Sequence, residues 1–414
     1  MLAAAALALA LGAPSLALDL SVRAEARSTR LAPIQASLTP ETRGAGELTP
    51  TAGATLEGHA FRLRSTYAPR LWSPALTKNA HLDHRLLMRG DAAPHPDLHL
   101  TVVGGLVRSV LDPLADPWTD FSPYALPPTS EVQHLLDARV QGDVAVRMGP
   151  RTVATLRGFV GRAKGLDAQS LLVLPPQNDR GGSLFVDQNV SARDQLSITA
   201  EYRTARTWPV NGAARDASFA LGGLRWERRL APLWRGIGSA GVFWIREGTD
   251  GAKPVTGAAP SGELTLVRDP DRSGITVSGG LRFAPEVDRG TGAVRKAFTV
   301  TSALGWRLSP DWGLGAGVNA SASAPPNDPV LGFDGVSRRI WEPLAVATEL
   351  RVTRRLENGI DLEGGLRWRW NQDHRTVQGS FREAGAFLGV TWAAIPERAT
   401  ALTLQQRFRY AQAP

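Results

Sequence analysis

The 414-residue chain contains no cysteine, so neither disulfide bonds nor thiolate metal sites contribute to its fold or chemistry. A chain of this length without a thiol fits an oxidising compartment, where a stray cysteine is a liability. After residue 18, no stretch approaches the roughly 20 consecutive apolar residues that a membrane-spanning helix needs. Together with a mean hydropathy of −0.15, this argues against a helical membrane protein.

Lysine is also scarce, although the chain is strongly basic. The formal net charge is +8 and Lys and Arg together number 47, but the only lysines are Lys78, Lys164, Lys253 and Lys296. The arginines are spread evenly and alternate with apolar residues, which disfavours a nucleic-acid partner, whose binding needs clustered charge. Codon usage in a GC-rich genome explains the preference for arginine equally well.

The one apolar run lies at the start of the chain. Residues 2–11 contain only alanine and leucine, Gly12-Ala13-Pro14 interrupts them, and Ser15-Leu16-Ala17 resembles a cleavage site with small residues. This pattern predicts a signal peptide over residues 1–17, although no basic residue precedes the apolar run. The alternative is a buried N-terminal helix.

The rest of the chain alternates apolar and polar residues, as expected for strands with one apolar face. In residues 360–371, leucine and tryptophan side chains share one face and arginine and acidic side chains share the other. Segments of this kind recur eighteen times between 47 and 410, the last of them over 400–410. Residues 18–27 could form a nineteenth strand.

The connections between these segments alternate in length. Short turns such as 57–59, 148–150 and 309–312 contain Gly, Pro, Asn and Asp, and long connections such as 108–130, 162–181, 284–296 and 323–342 lie between them. Short turns at one rim and long loops at the other are typical of outer-membrane barrels. Hydrocarbon offers no hydrogen bonds, so only a closed sheet satisfies every backbone group there.

We therefore predict an all-β protein with a single closed antiparallel transmembrane β-barrel of about 18 strands, within a range of 16–20. The predicted organisation is a signal peptide at 1–17, an N-terminal segment or extra strand at 18–46, and the barrel at 47–410. One conflict remains, because eighteen strands counted from residue 47 put both termini at the rim with the long loops. Counting 18–27 as a strand corrects the loops but makes the number of strands odd.

The sequence contains no HExxH, Gly-x-Ser-x-Gly or P-loop motif, so we predict no enzyme activity, metal or cofactor. What stands out is a row of charge on the face that would line the lumen. The candidate residues for a solute path are Arg225, Arg351, Arg367, Arg369, Arg407, Arg409, Glu227, Glu349 and Glu363. Such residues could form a salt-bridge lattice that holds the wall round, or a guanidinium-lined path for anionic or hydroxyl-rich solutes.

The segments 47–53 and 65–72, together with the turn at 307–312, resemble the large outer-membrane barrels of myxobacteria and related bacteria. Some members of that group release secreted polysaccharide. The resemblance implies a porin-like export role in a Gram-negative outer membrane, with a polysaccharide or small anionic solute as cargo and a periplasmic export partner. The alternatives are a general solute porin, and a barrel that serves as an enzyme or assembly scaffold. Outer-membrane lipid is the expected surrounding.

Overall fold

The computed structural model describes most of the chain after residue 14. The described residues are 15–33, 41–73, 80–111, 133–210, 212–270, 273–287, 292–324, 330–331, 337–338, 344–356, 359–372 and 381–394. Within them the chain is almost entirely β-strand, as the alternation predicts. Among these residues, no helix has the length and apolarity needed to cross a bilayer.

The strands are numbered in chain order. They are β1 Ser15–Pro33, β2 Glu41–Glu57, β3 Phe61–Tyr67, β4 Arg70–Ser73, β5 His81–His95, β6 Leu98–Leu111, β7 Gln133–Gly149, β8 Thr152–Gly165, β9 Gln177–Asn189, β10 Asp194–Thr207, β11 Arg215–Ala231, β12 Trp234–Thr249, β13 Val255–Arg268, β14 Ile275–Val287, β15 Val294–Arg307, β16 Trp312–Ala324, β17 Val330–Leu331, β18 Ser337–Arg338, β19 Leu344–Arg355, β20 Ile360–Gln372 and β21 Phe381–Ala393. A short helix, α1 (Ala168–Val173), lies between β8 and β9.

The strands form one closed antiparallel barrel. Each strand position pairs with the next one along the chain, with β16 pairing to β19, and β21 pairs with β1 to close the ring. Strands β3 and β4 share a single position between β2 and β5, and β17–β18 is a separate small hairpin. The barrel therefore has eighteen strand positions, which confirms the predicted fold class.

The two faces of the wall differ as the alternation predicts. On β20, Leu366 is 59% exposed and Trp368 40% exposed, whereas Arg367 and Arg369 point to the opposite face. An exposed apolar side chain is stable where it meets lipid, so the leucine face is the outer surface and the arginine face lines the lumen. The same assignment holds around the ring, where exposed leucine, valine and tryptophan residues occupy every second position.

The first strand resolves the conflict over the termini. The eighteen observed positions begin with β1, so the predicted first strand at 47–56 is the second strand of the barrel. The predicted strand at 400–410 lies outside the described residues. With β1 counted, β1 begins and β21 ends at the rim of the short turns 58–60 and 150–151. The opposite rim carries the long connections 112–132 and 325–343, and we call these the short-turn rim and the long-loop rim.

The strand β1 begins at Ser15, inside the segment predicted as a signal peptide. Its pairing with β2 runs from Ser15 opposite Glu57 to Leu31 opposite Glu41. Removal of residues 1–17 would shorten this strand at the short-turn rim but leave its pairing with β21, which starts at Ser21. Cleavage of the peptide stays a prediction.

Candidate solute path through the barrel

The inner wall around β1 is a lattice of paired charges. Glu25 on β1 lies at its centre, is only 6% exposed, and accepts a hydrogen bond from Arg23. Its carboxylate is 3.5 Å from Arg27 Nε and 3.5 Å from Arg367 Nη1 on β20. The lattice thus joins strands on both sides of β21, across the point where the barrel closes.

The lattice continues onto β19 and β20. Arg367 Nε donates to Glu349 at 2.9 Å, and Arg351 forms ion pairs with Glu349 and, at 3.7 Å, with Glu363. Glu363 also pairs with Arg23. Predicted site residues from two different strands are therefore brought together on one wall.

The other predicted residues lie elsewhere. Arg369 pairs with Glu383 of β21 at 3.1 Å, beside the lattice. Arg225 and Glu227 lie on β11, far around the ring, where they bond to each other at 3.2 Å. Arg407 and Arg409 lie outside the described residues. All the predicted residues that the structure describes face the lumen and hold an ion pair.

Sequence reasoning did not include the charges of β1 and β2 among the site residues. Arg27 bonds to Glu47 at 2.5 Å, and Arg70 on β4 donates to Asp83 at 2.8 Å. Ser109 also donates to Asp83 at 2.8 Å. The alternation of leucine with charged residues in 15–27 is the signal that could have found the residues on β1, because it matches that of the later strands.

Two further arrangements combine phenylalanine, glycine and arginine in one cross-strand row. On β8–β10, Phe159 lies opposite Gly181, and Gly181 lies opposite Arg203. On β21–β19, Phe387 lies opposite Gly365, and Gly365 lies opposite Arg351. A Cβ on Gly181 would come within 2.8 Å of the Phe159 ring, and one on Gly365 within 2.7 Å of the Phe387 ring.

The rings therefore lie across the glycines, with guanidinium groups stacked on them. Arg139 and Arg203 lie 4.6 and 5.7 Å from the Phe159 centroid, and Arg367 and Arg351 lie 4.2 and 5.8 Å from that of Phe387. Stacking of this kind is favourable because the ring face is negative. Nine strand positions separate β9 from β20 in either direction, so the rows face each other across the lumen.

The end of the β14–β15 hairpin folds into the barrel. β14 pairs with β13 only from Val277 to Phe283 but continues with β15 as far as Val287. We call residues 284–287 and 292–297 the inward tip. Here β14 has separated from β13, β15 pairs with β16 only as far as Lys296, and the tip packs on the inner face of β10 to β13. The predicted long connection 284–296 is therefore partly strand, because β14 extends to Val287 and β15 begins at Val294.

Apolar contacts hold the inward tip in place. Val287 and Val294, at 2% and 1% exposure, share a buried cluster with inner-face residues of β10 to β13. The wall residues of the cluster are Ala205, Ala217, Phe219, Ile245 and Ala259. Gly292 lies against Thr207 at the end of β10, and the Val294 amide donates to Glu247 at 3.4 Å. The inward tip therefore covers an apolar patch near the long-loop rim.

A second segment lies against the inner wall at the same rim. Asp167 caps α1 by accepting a hydrogen bond from the Ser170 amide at 2.7 Å, and Leu174 packs on Leu135 of β7. The helix and Leu174 lie within the predicted long connection 162–181. Leu172 is nevertheless 58% exposed, so the helix lies on the wall and does not fill the space beside it.

Charged side chains of the described inner wall pair with one another and not around a metal site. Among the described residues, no group of three or more His, Asp or Glu side chains is placed to hold a metal ion. A lumen wall of paired arginine and carboxylate groups is hydrophilic and fixed in position. Such a wall offers hydrogen bonds to water and to passing polar groups.

The sequence matches no protein-family model and no curated protein. The fold is similar to that of solved outer-membrane barrels. The ferric citrate transporter FecA matches with 11% identity and a TM-score of 0.50, covering 89% of this chain and 63% of that one. OccK2 (OpdF) of Pseudomonas aeruginosa, solved with glucuronate, matches with 9% identity and a TM-score of 0.48, covering 91% and 98%.

The FrpB iron transporter of Neisseria meningitidis matches with 9% identity and a TM-score of 0.48, covering 87% of this chain and 63% of that one. The chain therefore spans less than two thirds of the length of FecA and FrpB. At these identities the likeness concerns the fold alone. The chain has the β-barrel fold of outer-membrane transporters and porins.

Proposed function

We propose that the protein is an outer-membrane conduit for small hydrophilic solutes. The observation that carries the proposal is the division of the wall into an exposed apolar outer face and a charged, internally paired inner face. The outer face suits lipid and the inner face suits water. A barrel of this strand number encloses an aqueous channel unless inserted segments fill it.

The rims support an orientation. Outer-membrane barrels have short turns on the periplasmic side and longer loops outside, so the long-loop rim, with the inward tip, would face the exterior. The ends of β1 and β21 would face the periplasm, as expected for a chain exported by its predicted signal peptide. The inward tip would then restrict entry from outside.

Anionic or hydroxyl-rich solutes are the class that the inner wall suits. The planar guanidinium group binds two oxygens of a carboxylate at once. Arg139 lies against the Phe159 ring and forms no ion pair within the described residues. Export of a polysaccharide is a narrower hypothesis that would need a periplasmic partner. The inward tip and α1 reduce the open cross-section, which favours small solutes over a polymer.

The test is conductance of the purified full chain in a planar bilayer. We expect stable channels that prefer chloride to potassium, with the preference reduced at high salt because charges are screened. Liposome swelling with glucuronate and with neutral sugars of the same size would measure solute preference. A folded barrel without conductance would contradict the proposal and favour a scaffold or enzyme.

A further inference from the structure

The outer surface carries a cationic cluster at the long-loop rim. Arg162, Arg180, Arg206 and Arg246 belong to β8, β9, β10 and β12, and each occupies the lipid-facing position of its strand. The register places Arg162 beside Asn178, and Asn178 beside Arg206. We call these four residues the outer arginine cluster.

Three members of the cluster are uncompensated. Arg206 pairs with Asp216 at 3.3 Å and with Asp250 at 3.0 Å. Arg162, Arg180 and Arg246 are exposed and form no ion pair within the described residues. The cluster therefore presents positive charge to whatever surrounds this side of the barrel.

Three arginines on the outer face of the opposite rim each contact a partner. Arg228 lies 3.8 Å from Asp194 and against the Trp226 ring, and Arg354 stacks on Trp312 at 5.1 Å. Arg268 donates to the Ile275 carbonyl at 2.5 Å. On the outer face of the long-loop rim, by contrast, Arg162, Arg180 and Arg246 contact neither a carboxylate nor an aromatic ring within the described residues.

An apolar groove lies directly below the cluster, on the side of the membrane centre. The register aligns Tyr202, Ala220, Trp244 and Ala258 in one row across β10 to β13. Tyr202 and Trp244 are 57% and 56% exposed, and the small Ala220 lies between them. The depression here has a volume of about 430 Å³ and adjoins a larger one of about 1090 Å³ beside the arginines.

We propose that this surface binds a membrane lipid that carries phosphate groups. The arginines would hold the phosphates by charge-assisted hydrogen bonds, and an acyl chain would lie over Ala220 between the two rings. Arg180 and Arg246 are three strands apart, about 14 Å at the spacing of neighbouring strands. A headgroup that reaches both needs more than one phosphate. The proposal rests on the proposed membrane location, but not on solute passage.

The test is a titration of the detergent-purified full chain with diphosphoryl lipid A, followed by native mass spectrometry. We expect one lipid to bind, and about tenfold weaker binding for each arginine lost in Arg180→Gln and Arg246→Gln. The matched control Arg228→Gln with Arg354→Gln, at the other rim, should bind as the wild type does. Ala220→Leu should weaken binding by filling the groove without any change of charge.

Two further ligands show whether the surface recognises the phosphates, the acyl chain or both. Phosphatidylcholine should bind much more weakly, and inorganic phosphate should compete only at high concentration, since it lacks the chain that fills the groove. Retention of heat-modifiable migration shows that each variant is folded. Equal lipid A binding by the folded Arg180→Gln/Arg246→Gln variant, or equal binding of phosphatidylcholine, would overturn the proposal. Conductance of the variants is a separate readout and should not change.

Discussion

The inner wall is built in two different ways on its two sides. Around β19 to β2, arginine and carboxylate groups pair across the strands, with Glu25 at the centre. Around β10 to β13, near the long-loop rim, the wall is apolar and a folded segment covers it. On the charged side the ion-pair partners all belong to the wall itself, whereas the apolar side is buried by a segment that folds over it. The ion pairs join the strands where the barrel closes, and the inward tip narrows the lumen.

The largest loss of stability is expected for a substitution at the centre of the charged wall. Glu25→Gln leaves Arg23, Arg27 and Arg367 without their shared carboxylate, and removal of one partner from a buried ionic network costs about 3 kcal/mol. Urea unfolding in lipid vesicles would measure the loss. Glu57→Gln is the control, because Glu57 is exposed and 4.0 Å from Arg62, and it should cost less than about 1 kcal/mol. Equal losses would show that the lattice contributes little to stability.

A smaller loss of stability is expected when a methyl group is added to a glycine that lies under a phenylalanine ring. Gly365→Ala puts a methyl group in collision with the Leu350 carbonyl oxygen and 2.7 Å from the Phe387 ring, and overpacking of this kind costs about 2 kcal/mol. The temperature at which the barrel loses its compact migration in detergent should fall. Gly46→Ala, which has open space around its added methyl group, should leave that temperature unchanged. If Gly181→Ala is harmless while Gly365→Ala is not, only the wall at the closure depends on this packing.

The role of the inward tip is tested by weakening its contacts with the apolar wall. Val294→Asp places a charge in the buried cluster, which is unfavourable without a partner, so the inward tip should detach and single-channel conductance should rise. Val190→Asp makes the same change at an exposed turn residue, 57% exposed, and should have no effect. Unchanged conductance in a folded Val294→Asp barrel would show that the inward tip does not limit passage.

The smallest effect is expected for a single lumen arginine. Arg139→Gln removes one positive charge from the wall while its neighbours stay paired, so the preference for anions should decrease slightly. Reversal potentials in a salt gradient would measure this change. Arg228→Gln on the outer face is the control, and it should leave selectivity as it is. An equal shift in both variants would show that the lumen charge does not set selectivity.

Sequence periodicity was sufficient for the barrel and for the inward direction of Arg351, Arg367 and Arg369, because both depend on local alternation. It was not sufficient for the partners of these residues. Arg367 meets Glu25 only because β21 lies between β20 and β1, and that neighbourhood is decided by closure. The inward tip was also beyond prediction, since Val287 and Val294 pack on strands that the local pattern does not connect to them.

The pairing of β1 with β21 also has a consequence for folding. Arg367 and Glu25 are 342 residues apart, and joining the ends of a flexible loop of that length costs about 5 kcal/mol of chain entropy. Contacts of such high contact order form late. Until then, both terminal strands present unpaired edges that can pair with other chains. The ion pairs across this junction would therefore help the correct edges to recognise each other before aggregation competes.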